Sequence, residues 1–344
     1  MAKQHPASAE ARSAGATIYS VADHAGVSIA TVSRVLQGAT VVAEATRQKV
    51  LTAVEELGYV PTGAARSLAV RHHEAHGLVL PELSGPYYAE LLMGFEARAA
   101  ELAQSVVLVL TNSRTDMAAA VRQLATRVDA IAVFGSAAIP ADLVRLLRAK
   151  KPVVVIAGEP QDGIEAVAAE NLESARELAG HVLDHGRRRA LFVGDPDSGP
   201  DIRNRYAGYL AAHRDRGLKA AEPVLARLSE ADGTAFAQRL LAGEHEADAL
   251  MCANDELALS IMTTLQDAGR DVPGDIAIVG WDDVMTARYV RPGLTTVRQP
   301  VHELGALAAD RLHELVGGES PRTYAQMLPT RLVVRTSCGC LPVT

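Results

Sequence analysis

From Gly77 onward the chain repeats one pattern: short runs of β-branched and aliphatic residues separated by longer amphipathic stretches. The runs are GLVLP (77–81), SVVLVL (105–110), AIAVFG (130–135), PVVVIA (152–157), ALFVG (190–194), ADALMCA (247–253) and DIAIVGW (275–281). Between them lie segments with helical spacing at 86–103, 115–127, 171–185, 201–216, 254–268 and 300–315. Near-continuous Val/Ile/Leu runs alternating with helices mean parallel sheet covered on both faces. Over residues 77–336 there are too many such units for a single mononucleotide-type half. The pattern therefore predicts two doubly wound α/β lobes with a cleft, and ligands in such sheets bind beyond the carboxyl ends of the strands.

Composition narrows the class further. With 48% hydrophobic and 22% charged residues the chain is an ordinary globular mixture rather than a disordered one. Aromatics are only 4%, so aliphatic side chains must fill the core. No apolar run approaches the roughly 18 residues that span a bilayer, and residues 1–20 hold no apolar secretory core. Three cysteines (Cys252, Cys338, Cys340) form neither a disulfide scaffold nor a zinc-finger spacing, which predicts a reducing, cytoplasmic setting and no membrane partner. Residues 1–76 carry seven basic and six acidic side chains, the remainder 27 and 35, so charge alone does not suggest a polyanionic partner.

The N-terminal segment TIYSVADHAGVSIATVSRVLQG has a different character. Thr17 and Ser20 stand at capping-box spacing, although Ser20 replaces the usual Glu or Gln. Val21, Ala22 and Ala25 give a short helix an apolar face, Gly26 permits a sharp turn, and Ser28 caps a second helix at 29–36. Val27, Val32 and Val35 can pack inward, against a third helix at roughly 44–57 presenting Val50, Val54 and Leu57. This is the layout of a helix-turn-helix unit; a small bundle capping the α/β body has the same pattern.

At Thr17 to Leu68, through AGVSIATVSRVLQG, VAEATRQKVLTAVEELGYVP and AARSL, the chain closely resembles the lactose-repressor (LacI/GalR) family of bacterial transcription regulators. The resemblance continues through PYYAELLMGFEARA, AAENLESARELAGHVLDHG, RYAGYLAAH, ANDELALS, VPGDIAIVGWDDV, LTTVRQPVHELG and LVVRTSC, in order and at the expected spacing. It implies an α/β fold class with an all-α helix-turn-helix headpiece and a body like the periplasmic binding proteins. The organisation it implies is a tail at 1–16, the headpiece at 17–60, a hinge helix and linker at 61–76, an effector-binding domain at 77–336 and a C-terminal tail at 337–344. One lobe would comprise about 77–169 and 299–326, the other about 170–298 and 327–336.

The resemblance also assigns residues. Ile29, Ala30 and Arg34 match the positions that read the major groove. Arg34 can bond bidentately to guanine, and the two apolar residues suit thymine methyls. Thr17, Tyr19, Ser28, Thr31 and Ser33 are placed to hold phosphates through hydroxyls and helix-end N–H groups, though some can equally be helix caps. GAARSLA (63–69) looks like the family's hinge helix. Seven residues are too few to be helical alone, so it should order when two copies pack on DNA, with Leu68 wedged into the minor groove of a palindromic operator. The partners implied are thus double-stranded operator DNA and a second copy of the chain as a homodimer.

In the body, Arg205 before YAG, Asn254 opening a helix and Asp282 in GWDD match the family's effector-binding positions. Tyr87 and Tyr88 match pocket positions, and Trp281 could offer a stacking face. Such groups suit vicinal hydroxyls, so the expected effector is a small molecule, a sugar or sugar derivative first and a nucleoside-like ligand second. Two departures loosen the choice: Ala157 stands where several relatives place a ligand-binding Asp, and Leu228 where some present an aromatic.

No catalytic constellation emerges. The chain has no G-x-G-x-x-G, P-loop or G-x-S-x-G, and an enzyme is not expected. HHEAH (72–76) reads as exposed linker, and Cys338 and Cys340 as incidental thiols, so neither cofactor nor metal is expected. The competing function is a solute-binding protein without a DNA role, for which residues 17–69 would have no use.

Overall fold

The computed structural model describes residues 16–36, 41–59, 72–135, 139–161 and 163–341. It divides into a headpiece unit up to His73 and a body from Glu74. The tail at 1–15 and the hinge segment with Leu68 lie outside the described residues.

The headpiece contains α1 (Ile18–Ala25), α2 (Ile29–Leu36) and α3 (Glu44–Glu56). The serine variant of the capping box closes: Ser20 N–H donates to Thr17 Oγ1 at 3.2 Å and Thr17 N–H to Ser20 Oγ at 2.8 Å. Gly26 ends α1 at φ +65°, where an L side chain would be strained, and Val27 N–H returns to the Ala22 carbonyl at 3.1 Å. Ser28 Oγ then accepts from Thr31 N–H at 3.1 Å and starts α2. Val21, Ala22, Val32, Val35, Val50, Ala53 and Tyr59 form the buried core, with Val27, Val54 and Leu57 packed against it. Each fully buried valine contributes about 1.5–3 kcal/mol.

In the body, β1 (Ala75–Leu80), β2 (Ser105–Leu110), β3 (Ala130–Phe134), β4 (Val153–Ile156), β5 (Glu165–Ala169) and β10 (Gln326–Leu328) make a parallel sheet in the order β10-β5-β4-β3-β1-β2. Helices α4 (Pro86–Glu101), α5 (Met117–Ala125), α6 (Ala141–Arg148) and α11 (Val301–Val316) belong to this lobe. The second lobe has a parallel sheet of β6 (Ala190–Val193), β7 (Ala249–Cys252) and β8 (Ala277–Val279), and an antiparallel pair of β9 (Thr296–Arg298) with β11 (Arg331–Val333). Helices α7 (Leu172–Asp184), α8 (Pro200–Asp215), α9 (Glu230–Leu241) and α10 (Asp255–Asp267) surround them. The chain passes between lobes after β5, after β9 and after β10. The first sheet holds the chain through Leu328, two residues beyond the expected crossing at 326.

Two features fix the first lobe. A Cβ on Gly94 would strike the His302 carbonyl and one on Gly305 the Leu91 carbonyl, so α4 and α11 meet backbone to backbone. Arg311 on α11 grips Glu165 on β5 through Nε–Oε1 at 2.6 Å and Nη2–Oε2 at 3.1 Å, with both side chains buried. Burial pushes the Glu165 carboxyl upward, but the hydrogen bonds from Arg311 and from Arg322 N–H outweigh it and hold the group below its ordinary value.

The linker reading of 72–76 needs correction. Ala75 and His76 belong to β1 rather than to a linker, and His76 is fully buried with Phe95 and His313 rings 6.5 and 6.4 Å away. Burial, then the neighbouring His313, lower its pKa to about 4 against the weaker pull of Asp129, so the imidazole is a neutral core group. The purely apolar run begins one residue later, which is why alternation alone started the strand too late.

Candidate functional site

A cavity of about 470 Å³ opens between the strand ends of the two lobes. Arg205 on α8 is its central cation and is 4% exposed. Its Nε donates to Asn171 Oδ1 at 2.8 Å and its Nη1 to the Ala253 carbonyl at 2.6 Å, while Cζ lies 4.7 Å from the Trp281 ring centroid. A guanidinium held on two edges and one face is pre-oriented for a ligand on the remaining edge. Trp281 departs from its expected role. It is fully buried behind Arg205 and off the cavity wall, so its ring positions the cation instead of stacking on a ligand.

Asp282 follows β8 with φ +122°, a backbone state L residues rarely adopt, pinned by its N–H donating to the Val297 carbonyl at 2.8 Å. Gln299 Nε2 donates to Asp282 Oδ1 at 2.6 Å. Burial raises the Asp282 pKa well above the carboxylate range, Asp255 adds to the rise, and Arg205 opposes it. Asp283, next along, is instead pinned between Arg298 Nε and Arg335 Nη2, each at 2.5 Å, and serves the lobe rather than the cavity. Asp255 likewise turns inward: Oδ1 accepts from Thr296 Oγ1 at 2.7 Å and Oδ2 from Val284 N–H at 3.0 Å.

Asn254 both caps and lines. Its Oδ1 accepts Leu257 N–H at 3.0 Å, which starts α10, and its amide sits in the cavity wall. Tyr87 and Tyr88, in the first turn of α4, form edge-to-face contacts with each other at 5.5 Å and with Phe134 at 5.9 and 5.2 Å. This aromatic wall faces a polar one. Five carboxylates (Glu82, Asp195, Asp201, Glu256 and Asp282) line the cavity against two guanidiniums (Arg205 and Arg227). Burial raises Asp201 and Glu256 as well, the latter with help from Glu82 and Glu230. Ala157, at φ +53°, and Leu228 complete the wall.

The structure thus brings Tyr87, Tyr88, Arg205, Asn254 and Asp282 to one cavity. Sequence reasoning missed Asn171 and Gln299, which stand at the first and second crossings and orient Arg205 and Asp282. It also missed Asn112, Phe134 and Asp195, which the strand-end rule would have found directly after β2, at the end of β3 and after β6.

In the headpiece, Tyr19 is 65% and Ile29 42% exposed, and Ala30 and Arg34 are also exposed on α2. Thr17 and Ser28 spend their oxygens on capping, and the Thr31 hydroxyl lies 2.8 Å from that of Ser28. Ser33 is half-buried beside them.

Comparison with known proteins agrees with both parts. Residues 17–62 match the model of bacterial regulatory proteins of the lacI family, and 179–338 match a periplasmic binding protein-like domain. Catabolite control protein A of Priestia megaterium is 31% identical over 93% of this chain and 98% of its own length. A lac repressor dimer, solved bound to operator and the anti-inducer ONPF, superposes with a TM-score of 0.84 at 27% identity, covering 94% of this chain and 99% of that one. A complex of the transcriptional regulator CelR with cellobiose superposes with a TM-score of 0.71 at 28% identity, covering 94% and 99%. The chain belongs to the lacI family of bacterial regulatory proteins and is a DNA-binding transcriptional regulator.

Proposed function

We propose that this regulator is a cytoplasmic homodimeric repressor without catalytic activity, controlled by an uncharged polyhydroxylated effector, a sugar or sugar derivative, in the cavity between the lobes. The observation that carries the ligand class is the wall itself: five carboxylates against two guanidiniums, facing an edge-to-face aromatic cluster. Even with Asp282 holding its proton, four acidic side chains stand against two guanidiniums, a balance that disfavours phosphorylated or carboxylated ligands. Vicinal hydroxyls satisfy a pre-oriented guanidinium, an amide and a carboxyl at once, and the apolar face of a sugar ring packs on tyrosines. The CelR complex with cellobiose supports the same class.

On the DNA side, Arg34 reads a guanine through its fork while Ile29 and Ala30 touch thymine methyls. Tyr19, Thr31 and Ser33, with the capped helix ends at Thr17 and Ser28, position the phosphates. Leu68 wedges the minor groove at the centre of a palindromic operator. The effector acts by binding two arrangements of the lobes with different affinity.

A thermal-shift screen of the full chain against neutral mono- and disaccharides, sugar phosphates and nucleosides tests the ligand class, followed by operator release in gel shifts. Stabilisation by a neutral sugar that also alters operator retention is the expected result. Stabilisation by sugar phosphates or nucleosides alone overturns it.

A further inference from the structure

Away from the cavity, the far end of α7 meets the C-terminal segment. His181, in the last turn of α7, and His185, the residue that caps its C-terminus, lie four residues apart, so both imidazoles emerge on one side of the helix end. Cys338 and Cys340 reach that side from a turn whose middle residue, Gly339, has φ +106°. His181 Nε2 is 3.3 Å from Cys338 Sγ and 3.5 Å from Cys340 Sγ, and His185 Nε2 is 3.2 Å from Cys340 Sγ. All four donor atoms lie within 4.8 Å of one another.

We propose that His181, His185, Cys338 and Cys340 form a tetrahedral binding site for a zinc-class divalent cation that fastens the C-terminal segment to α7. Zinc bonds of about 2.3 Å to sulfur and about 2.0–2.1 Å to nitrogen give a coordination tetrahedron with edges of roughly 3.3–3.8 Å. The three sulfur–nitrogen spacings above already lie at or just below that range, and the remaining pairs, within 4.8 Å, would draw together by up to about 1 Å to enclose an ion. Two thiolates with two imidazoles are the donor set that selects zinc over the hard cations magnesium and calcium.

The surroundings hold the sulfurs in place. Thr295 Oγ1 donates to Cys338 Sγ at 3.2 Å. Ser337, one residue earlier, is tied to the second lobe by Thr295 N–H donating to its Oγ at 2.9 Å and by Ile278 N–H donating to its carbonyl at 3.0 Å. Such supporting bonds restrict the motion of ligands and raise affinity. Cys338 is fully buried while His185 is exposed, so the site has an anchored side and an open side through which an ion can enter.

Cobalt(II) titration of the reduced, chelator-treated full-length protein tests the site by its visible spectrum. The expected result is one equivalent per chain with intense four-coordinate bands and thiolate charge transfer, displaced by zinc. Cys340→Ser and His185→Ala should each abolish those bands while leaving the circular dichroism and operator binding of the wild type. Zinc should raise the melting temperature of the wild type and not of either variant. A weak six-coordinate spectrum, bands that survive both substitutions, or a Cys338–Cys340 disulfide that forms in preference to metal binding overturns the proposal.

Discussion

The headpiece and the cavity solve recognition in opposite ways. On α2 the side chains proposed to read DNA are exposed, and a small apolar core fixes their direction: Val32 and Val35 face inward, so Ile29, Ala30 and Arg34 must face out. In the cavity the two ionisable groups proposed to recognise the effector are themselves held by other side chains, Arg205 by Asn171 and Trp281, Asp282 by Gln299. An exposed reader costs little to replace and can vary with the site it reads. A braced one cannot be removed without leaving its supports unpaired.

That contrast orders the expected effects. The largest belongs to Arg205→Ala, which strips the cavity of its braced cation. Effector affinity should fall by about 2–5 kcal/mol while operator binding without effector stays intact, read by calorimetry with the sugar from the screen. Equal loss of operator binding would mean that Arg205 supports the fold rather than the ligand. Arg34→Ala should cost about 1–3 kcal/mol at the operator and relax discrimination at one base pair per half-site, measured by gel shifts on operator variants. Unchanged discrimination would remove α2 from direct readout. Thr17→Ala deletes the cap of α1 and should destabilise the headpiece by about 1 kcal/mol, visible as faster amide exchange in α1 without change in the body.

The smallest effect has a pH signature. Because the Asp282 pKa is raised in the fold, the folded chain holds a proton that the unfolded chain has released once pH exceeds the ordinary carboxyl value of about 4. Stability is therefore lost as pH rises through the window between the unfolded and the folded pKa. Asp282→Asn should raise the melting temperature by a few degrees above that window, with the gain vanishing in acid and effector binding impaired throughout. A gain that persists in acid would assign it to packing instead of charge.

How much was legible follows the same division. The headpiece was readable because its determinants are local: Thr17 to Ser20, Gly26 to Ser28, and Val32 to Val35 are all within one turn. The strands with continuous branched residues were readable too. Strand β5 (EAVAA) was not, since alanines and a buried glutamate hide its character until Arg311 is seen against Glu165, 146 residues away. Helix α9 carries Gly233 in its second turn, with no long apolar run to announce it. Positions in the cavity came through the resemblance, whereas the supports Asn171 and Gln299 depend on crossings that no local spacing reveals. The pairing of His181 with Cys338 spans 157 residues and left C-x-C looking like two stray thiols.

The placement of Asn171 and Gln299 has a mechanical meaning. A connection between two rigid blocks is where bending concentrates, and the first lobe is rigid by the backbone contact of Gly94 and Gly305. Two of its three links to the second lobe carry the very amides that grip Arg205 and Asp282. A guest that engaged those two side chains, as proposed, would apply its leverage at the joints themselves.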